Sequence, residues 1–395
     1  MKLNPTRPLS ILLILCLPPA LARPAEGPQK FNILSPEELA EGWILLFDGE
    51  TMFGWQANNR ANWRVSDGAI AVSEGDQGLL NTTTEFADYQ LKLEFRADKN
   101  TNSGVFLRTP GKPTDPAADC YELNIAADDN PFPTGGFVKR QKSDGGHTTG
   151  QWQLFDVTAD GGHFTVKLDG QLVLDYTDPK PVRRGFIGLQ LNQGPVEFRD
   201  IKLRPLGLKA LFNGRDLSGW QEYAGEKSKF SVNSKGDLNV KNGPGQLETE
   251  ARYGDFTLQL EAFVNGDKLN SGIFFRSIPG EKRMGYESQI HNGYADDDRT
   301  RPLDYGTGAI YNRQKARKVM SNDFEWLYKT IVATGNHIGV WVNGQQVTDW
   351  TDNRAPNENP RKGLRTEPGT IIIQGHDPTT DISFRNLRAA EMPKR

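Results

Sequence analysis

Asn270-Ser271-Gly272-Ile273-Phe274-Phe275-Arg276 has a near-twin in the first half of the chain, Asn102-Ser103-Gly104-Val105-Phe106-Leu107-Arg108. A small polar entry, three apolar or aromatic residues and an arginine suit a short strand and are too brief for a stable helix. Working outward, other words recur in the same order. Leu46-Phe47-Asp48-Gly49, running to Gly54-Trp55, matches Leu211-Phe212-Asn213-Gly214, running to Gly219-Trp220. Tyr121-Glu122 matches Tyr286-Glu287, Leu168-Asp169-Gly170 matches Val342-Asn343-Gly344, and Phe198-Arg199-Asp200-Ile201 matches Phe384-Arg385-Asn386-Leu387. The ordered set fills each half, a period too long for a solenoid, so it reads as duplication of one whole domain. Residues 31–206 and 208–392 are the expected copies, parted where Pro205 and Gly207 interrupt a strand pattern.

Within each copy, short alternating runs are separated by turn residues, with examples at 89–95, 105–108, 164–168, 186–191 and 196–203. Asp169-Gly170 and Asn343-Gly344 are two-residue hairpin turns. Ser35-Pro36-Glu37-Glu38 offers an N-cap, a proline at the first helical position and a capping-box glutamate, predicting one short helix that ends near Gly42. The fold class is therefore all-β, with two tandem sandwiches or jelly rolls. The 395 residues carry a formal charge of -3, which gives no hint of a nucleic-acid partner, and no basic run suggests a membrane surface.

At the N-terminus, Lys2 and Arg7 precede an apolar run from Leu9 to Leu17, followed by Ala20-Leu21-Ala22. This is the pattern of a secretory signal peptide over residues 1–22, too short in its apolar part to span a bilayer. Leu15 before Cys16 argues against a lipoprotein signal, so cleavage after Ala22 is favoured over lipid anchoring. The expected product is exported, periplasmic or extracellular, with Cys120 as its only cysteine and no intrachain disulfide. No later run is long enough to span a membrane.

The candidate site follows from alternation. In Tyr286-Glu287-Ser288-Gln289-Ile290-His291, period two sends Glu287, Gln289 and His291 to one face. The same phasing groups Asn270, Gly272, Phe274 and Arg276, and it groups Ile372, Gln374 and His376. Neighbouring strands would then bring together a titratable pair (Glu287, His291), a cation (Arg276) and amide or imidazole contacts (Gln289, Gln374, His376, Asn270). The first copy offers Arg108, Glu122, Asn124 and Gln190, without a histidine. Glu287 with Arg276 could equally be an ordinary cross-strand pair. Trp326, like Trp152, could stack on a sugar ring or pack at a sheet edge. Trp55 and Trp220 are expected in the core, and Arg199 and Arg385 are expected to pair across the sheet. The acidic loops at 295–298 and 128–130 are possible calcium ligands, although neither has an EF-hand pattern. No zinc spacing or serine-hydrolase elbow is present.

Taken together, the paired words resemble the 3-keto-disaccharide hydrolase family over nearly the whole chain. The resemblance implies a concanavalin A-like jelly roll in each copy, and exported proteins that act on or bind carbohydrate. The second copy keeps Tyr286-Glu287-Ser288-Gln289-Ile290, Gly308-Ala309-Ile310-Tyr311 and Gln374-Gly375-His376. The first departs, with Asn124 for Gln289 and Asn192 for the histidine. A hydrolase or lyase working through C2 deprotonation of a 3-keto sugar is the implied activity, and a non-catalytic lectin is the alternative. If one half does chemistry, it is the second.

Overall fold

The strand Tyr89–Ala97 alternates perfectly, with Tyr89, Leu91, Leu93, Phe95 and Ala97 buried and the polar residues between them half-exposed. Such a strand has one wet face and one dry face, and a second sheet must cover the dry one. The computed structural model, which describes Met1 and residues 31–146 and 149–395, shows this arrangement twice. The expected signal peptide, with Cys16, lies outside the described residues apart from Met1.

Each copy pairs an eight-stranded sheet with a five-stranded one, and every strand pair within these sheets is antiparallel. In the second copy the five-stranded order is Trp220–Glu222, Gly245–Thr249, Thr370–Gly375, Ser271–Ser277, Tyr286–Ile290. The first copy repeats it with Trp55–Ala57, Gly78–Thr82, Phe186–Leu191, Ser103–Thr109, Tyr121–Ile125. The chain is thus all-β, two tandem concanavalin A-like jelly-roll sandwiches. Its expected helix is Pro36–Glu41, with the Ser35–Glu38 capping box formed and Gly42 closing it in the left-handed conformation. The predicted hairpin turns have positive φ at both central residues, Asp169 and Gly170 in one and Asn343 and Gly344 in the other. Trp55 and Trp220 are buried, each donating its indole N–H to a backbone carbonyl nine residues earlier.

The copies pack against each other. Trp341 of the second lies in the first copy's core and donates to the Leu45 carbonyl at 2.9 Å. The counterpart of the Tyr89–Ala97 strand, Phe256–Val264, is buried on nearly every residue. Part of its second face meets the chain after the helix, where Gln259 donates to the Gly42 carbonyl at 2.8 Å. Arg184 pairs with Asp255 at 2.6 Å across the same junction.

Candidate functional site

Tyr286–Ile290 is an edge strand, and a bare edge exposes unpaired backbone groups. Here a loop covers it: Gln289 donates to the Ala309 carbonyl, Gly308 to that of Gln289, and Tyr311 to that of Glu287. Tyr286 and Ile290 point into the core, so Glu287 and Gln289 point away from it, as alternation requires. Register then sets their neighbours. Phe274 pairs with Glu287 and Gly272 with Gln289 on one side, and Gln246 pairs with Gln374 two strands away.

Gly272 is the floor of the site. A Cβ there would sit 2.7 Å from Glu287 Oε1, so the missing side chain is the space in which the carboxyl lies. Glu287 is only 7% exposed, and burial pushes its pKa up to about 7. The Arg361 guanidinium, 3.5 Å from Oε2, and His376 pull it back, whereas Asp304 pushes it further up. Beneath the strand, Lys329 is buried among core residues and donates to the carbonyls of Ser288 at 3.0 Å and Gln289 at 2.8 Å. Burial depresses its pKa, and the nearby Glu287 opposes that shift.

Three residues from outside the strands complete the wall. Asp304, on the loop after the edge strand, accepts from Gln289 Nε2 at 2.9 Å and from the Asn270 amide. Tyr311 has its phenol pKa raised by burial, with Asp304 and Glu287 adding to the effect. Arg361 also anchors to the Arg283 carbonyl at 2.9 Å. The amide oxygens of Gln289, Gln374 and Asn270 are buried without a protein partner, acceptors of the kind sugar hydroxyls satisfy.

Arg276 does not join this group. The register slips between Phe274 and Ser277, and Arg276 has φ of 47°. That bulge breaks the alternation. Its fully buried guanidinium donates to the carbonyls of Gly254, Gly335 and Arg365 and to Asp255 Oδ1 at 2.9 Å. The suspected Glu287–Arg276 pair is therefore replaced by Glu287–Arg361. Arg108 is the same device in the first copy, at φ of 53°, bonded to the carbonyls of Ala87, Gly161 and Val182 and to Asp88. Both arginines tie the end of the sandwich together and are corrected from substrate contacts to structural latches.

The histidines divide. His291 follows the strand's last residue, where alternation no longer steers the side chain. Its Nδ1 accepts from Gly293 N–H at 3.3 Å, beside Lys268. His376 is the imidazole whose charge Glu287 feels. It is exposed, and its Nδ1 is 2.7 Å from Asp377 Oδ1, which holds the ring's orientation.

Trp326 is also separate. It lies on the eight-stranded sheet, facing away from buried Leu327 and Lys329, with the Arg385 guanidinium 3.8 Å from its ring centre. Arg385 bridges across the sheet to Glu261, as Arg199 does to Glu94. In the 295–298 loop, Asp298 accepts from Thr300 and Asp296 pairs with Arg301. No cluster of three or more His, Cys, Asp or Glu placed to hold a metal occurs among the described residues. No helix among them is long and apolar enough to cross a membrane.

In the first copy, Gln190 donates to Glu122 at 3.1 Å and Asn124 to the Phe132 carbonyl. Burial raises the Glu122 pKa, as it does that of Glu287. Around it, however, Leu79 stands where the second copy has Gln246, and it packs with Phe106 and Cys120. Val138 takes the place of Tyr311, and Asn192 that of His376, its side-chain amide oxygen accepting from Gln77 Nε2 at 2.6 Å. Of the site's residues, Asp304, Arg361, Asp377 and Tyr311 were missed by alternation because loops carry no period. Lys329 was missed as well, although a signal existed: it occupies an inward strand position where the first copy has Phe155.

Comparison with known proteins finds one family match in each half. A family model described as a 3-keto-alpha-glucoside-1,2-lyase-like domain matches residues 42–204 and again 207–390. A 3-keto-disaccharide hydrolase of Bacteroides thetaiotaomicron is 32% identical over 79 residues, 17% of this chain and 27% of that protein. The match therefore spans about a quarter of the relative's length. Among solved structures, a Parabacteroides distasonis protein provisionally assigned as a glycosyl hydrolase is 21% identical, covering 45% of this chain and all of that one, with a TM-score of 0.40. A carbohydrate-binding module, CBM66 of Bacillus subtilis, is 16% identical, covering 38% and 94%, with a TM-score of 0.31. With one match in each half, the chain belongs to the 3-keto-alpha-glucoside-1,2-lyase-like domain family, a carbohydrate-active family.

Proposed function

We propose that the second copy is a hydrolase or lyase of 3-keto-glycosides and that the first is catalytically silent. The observation that carries this reading is Glu287: a buried carboxyl that exchanges its proton near neutral pH, over a glycine floor, beside a guanidinium and an Asp-oriented imidazole.

The chemistry follows from the substrate class. A ketone at C3 acidifies the C2 hydrogen, and Glu287 as carboxylate removes it. The electron pair moves onto O3, where Arg361 supplies the compensating charge and hydrogen bonds. The enolate then expels the C1 aglycone, which leaves as an alcohol after taking a proton, with His376 as the donor. The product is a C1–C2 alkene. Water adding at C1, with a proton returned to C2, completes net hydrolysis; release before that step makes the reaction a lyase reaction. Gln374, Gln289 and Asn270 hold sugar hydroxyls. This arrangement gives His376 a catalytic role that the sequence had offered, as base or acid, to His291 beside Glu287.

The test is turnover of a 3-keto-glucoside with a chromogenic aglycone in D₂O. Aglycone release with deuterium at C2 of the hydrolysed sugar is expected. Release with hydrogen retained at C2 would sink the elimination, and binding of unmodified glucan without turnover of any keto-glycoside would favour the lectin.

A further inference from the structure

The Trp326–Arg385–Glu261 assembly on the eight-stranded sheet of the second copy is reproduced in the first by Trp152, Arg199 and Glu94. Arg199 lies 3.9 Å from the Trp152 ring centre, as Arg385 lies 3.8 Å from that of Trp326. Each arginine donates its Nε to the glutamate at 2.7 Å. In the first copy the other face of the guanidinium is covered by the Phe31 ring at 3.4 Å. The next residue, Asn32, exchanges bonds with Asp200, donating its backbone N–H to the carboxylate at 2.9 Å and accepting the Asp200 N–H at 2.8 Å. Its side-chain amide donates to the Gly68 carbonyl at 2.9 Å and lies against Gly49. The groove is thus filled by an aromatic residue followed by asparagine.

In the second copy, the counterparts of Arg199, Asp200, Gly49 and Gly68 are Arg385, Asn386, Gly214 and Gly236, and all four line an open cavity of about 530 Å³ with Trp326. Among the described residues Trp326 is the one ring stacked on the Arg385 guanidinium, and the Tyr328 hydroxyl bonds to the same side chain. The chain cannot fill this groove with the same segment. Ile44 and Lys209 are equivalent in the sheets, through their partners Leu203 and Ala389. Asn32 precedes Ile44 by 44 - 32 = 12 residues, so its counterpart would be position 209 - 12 = 197. Glu197 is already committed to the strand Val196–Pro205 of the first sandwich.

We propose that this groove docks a segment of another polypeptide that carries an aromatic residue followed by asparagine. The aromatic ring stacks on the outer face of the Arg385 guanidinium, and the asparagine lies between Gly214, Gly236 and Asn386. A sugar is the poorer fit, because the face it would stack on is a guanidinium already seated on Trp326. The site is remote from the Glu287 chemistry and does not depend on it.

The probe is a fluorescent octapeptide with the sequence of residues 29–36, titrated against the full chain by anisotropy. Saturable binding is expected, with at least tenfold loss in Trp326→Ala and in Ala210→Trp, which projects a ring into the groove from an exposed position. Replacing both Phe and Asn of the peptide by alanine should abolish binding, and Trp152→Ala should leave it within twofold. Absence of binding at millimolar peptide would overturn the proposal. So would loss confined to Trp152→Ala, which would mean that the peptide merely displaces Phe31, or displacement of the peptide by a gluco-oligosaccharide that binds more tightly. Unchanged circular dichroism and melting of both groove variants would separate lost docking from lost folding.

Discussion

The same glutamate, at the same register of the same edge strand, has two different surroundings in this molecule. Around Glu122, a glutamine donates to the carboxylate and an apolar trio of Leu79, Phe106 and Cys120 fills the adjoining face. Around Glu287, the carboxylate instead meets the Arg361 guanidinium at 3.5 Å, Gln246 replaces the leucine, and His376 and Asp304 bring further charge to bear. Both carboxyls are buried and both have raised pKa values, so burial alone does not distinguish them. What differs is the company: one carboxyl accepts a bond from a neutral amide beside apolar side chains, whereas the other meets a guanidinium, an imidazole and a second carboxylate. Duplication preserved the scaffold and left the chemistry free to diverge.

The largest effect that can break this comparison is on turnover. Glu287→Gln should lower kcat on a 3-keto-glucoside by about 10³-fold, the range expected for loss of a positioned base. Glu122→Gln should leave it within twofold. Equal losses in the two variants would end the assignment of chemistry to the second copy. A stability pair provides the control. Arg276→Ala and Arg108→Ala each strand a carboxylate and several carbonyls, and each should cost about 3–5 kcal/mol in denaturant unfolding. The two costs should be alike, because the latches are alike. A large drop in kcat for correctly folded Arg276→Ala, with none for Arg108→Ala, would return Arg276 to the active site.

These paired outcomes also show where sequence suffices. Regular strands obey alternation, so the two sandwiches and the orientation of Glu287 and Gln289 follow from period two. Arg276 escapes it because one bulged residue with positive φ turns the chain, and nothing in Phe-Phe-Arg-Ser announces that. Trp326 was grouped with the site although it stands on the other sheet, since sequence distance does not say which layer a strand joins. Asp304 and Arg361 come from loops, where only tertiary closure decides what faces what.

A smaller effect tests the floor of the site. Gly272→Ala places a methyl where the Glu287 carboxyl lies, while the backbone needs no left-handed conformation there. The carboxyl must swing aside, and kcat should fall by about 10- to 100-fold, or about 1.4–2.7 kcal/mol of barrier. Gly104→Ala meets a backbone carbonyl at 3.0 Å instead, and should register in melting temperature but not in turnover. If Gly272→Ala retains full kcat, the carboxyl position seen here is not the working one.

The finest distinction lies in pH dependence, through Lys329 and its counterpart Phe155. A lysine whose folded-state pKa is depressed gives up its proton in the folded chain while the unfolded chain still holds one. Between the lowered value, about 7, and the ordinary value near 10.5, the unfolded state therefore binds more protons, and stability rises with pH. Glu287 acts in the opposite sense. Its folded pKa is raised from 4.5 to about 7, so across that window the folded state holds the extra proton and stability falls as pH rises. The second sandwich should thus be least favoured near neutrality, with each arm no steeper than about 1.4 kcal/mol per pH unit. Lys329→Met should flatten the alkaline arm and leave the acidic one, whereas Glu287→Gln should do the reverse. Urea melts at half-unit pH steps would show both. An alkaline arm that persists in Lys329→Met would mean that the lysine keeps its proton in the fold, held as a cation by the two carbonyls and by Glu287 itself.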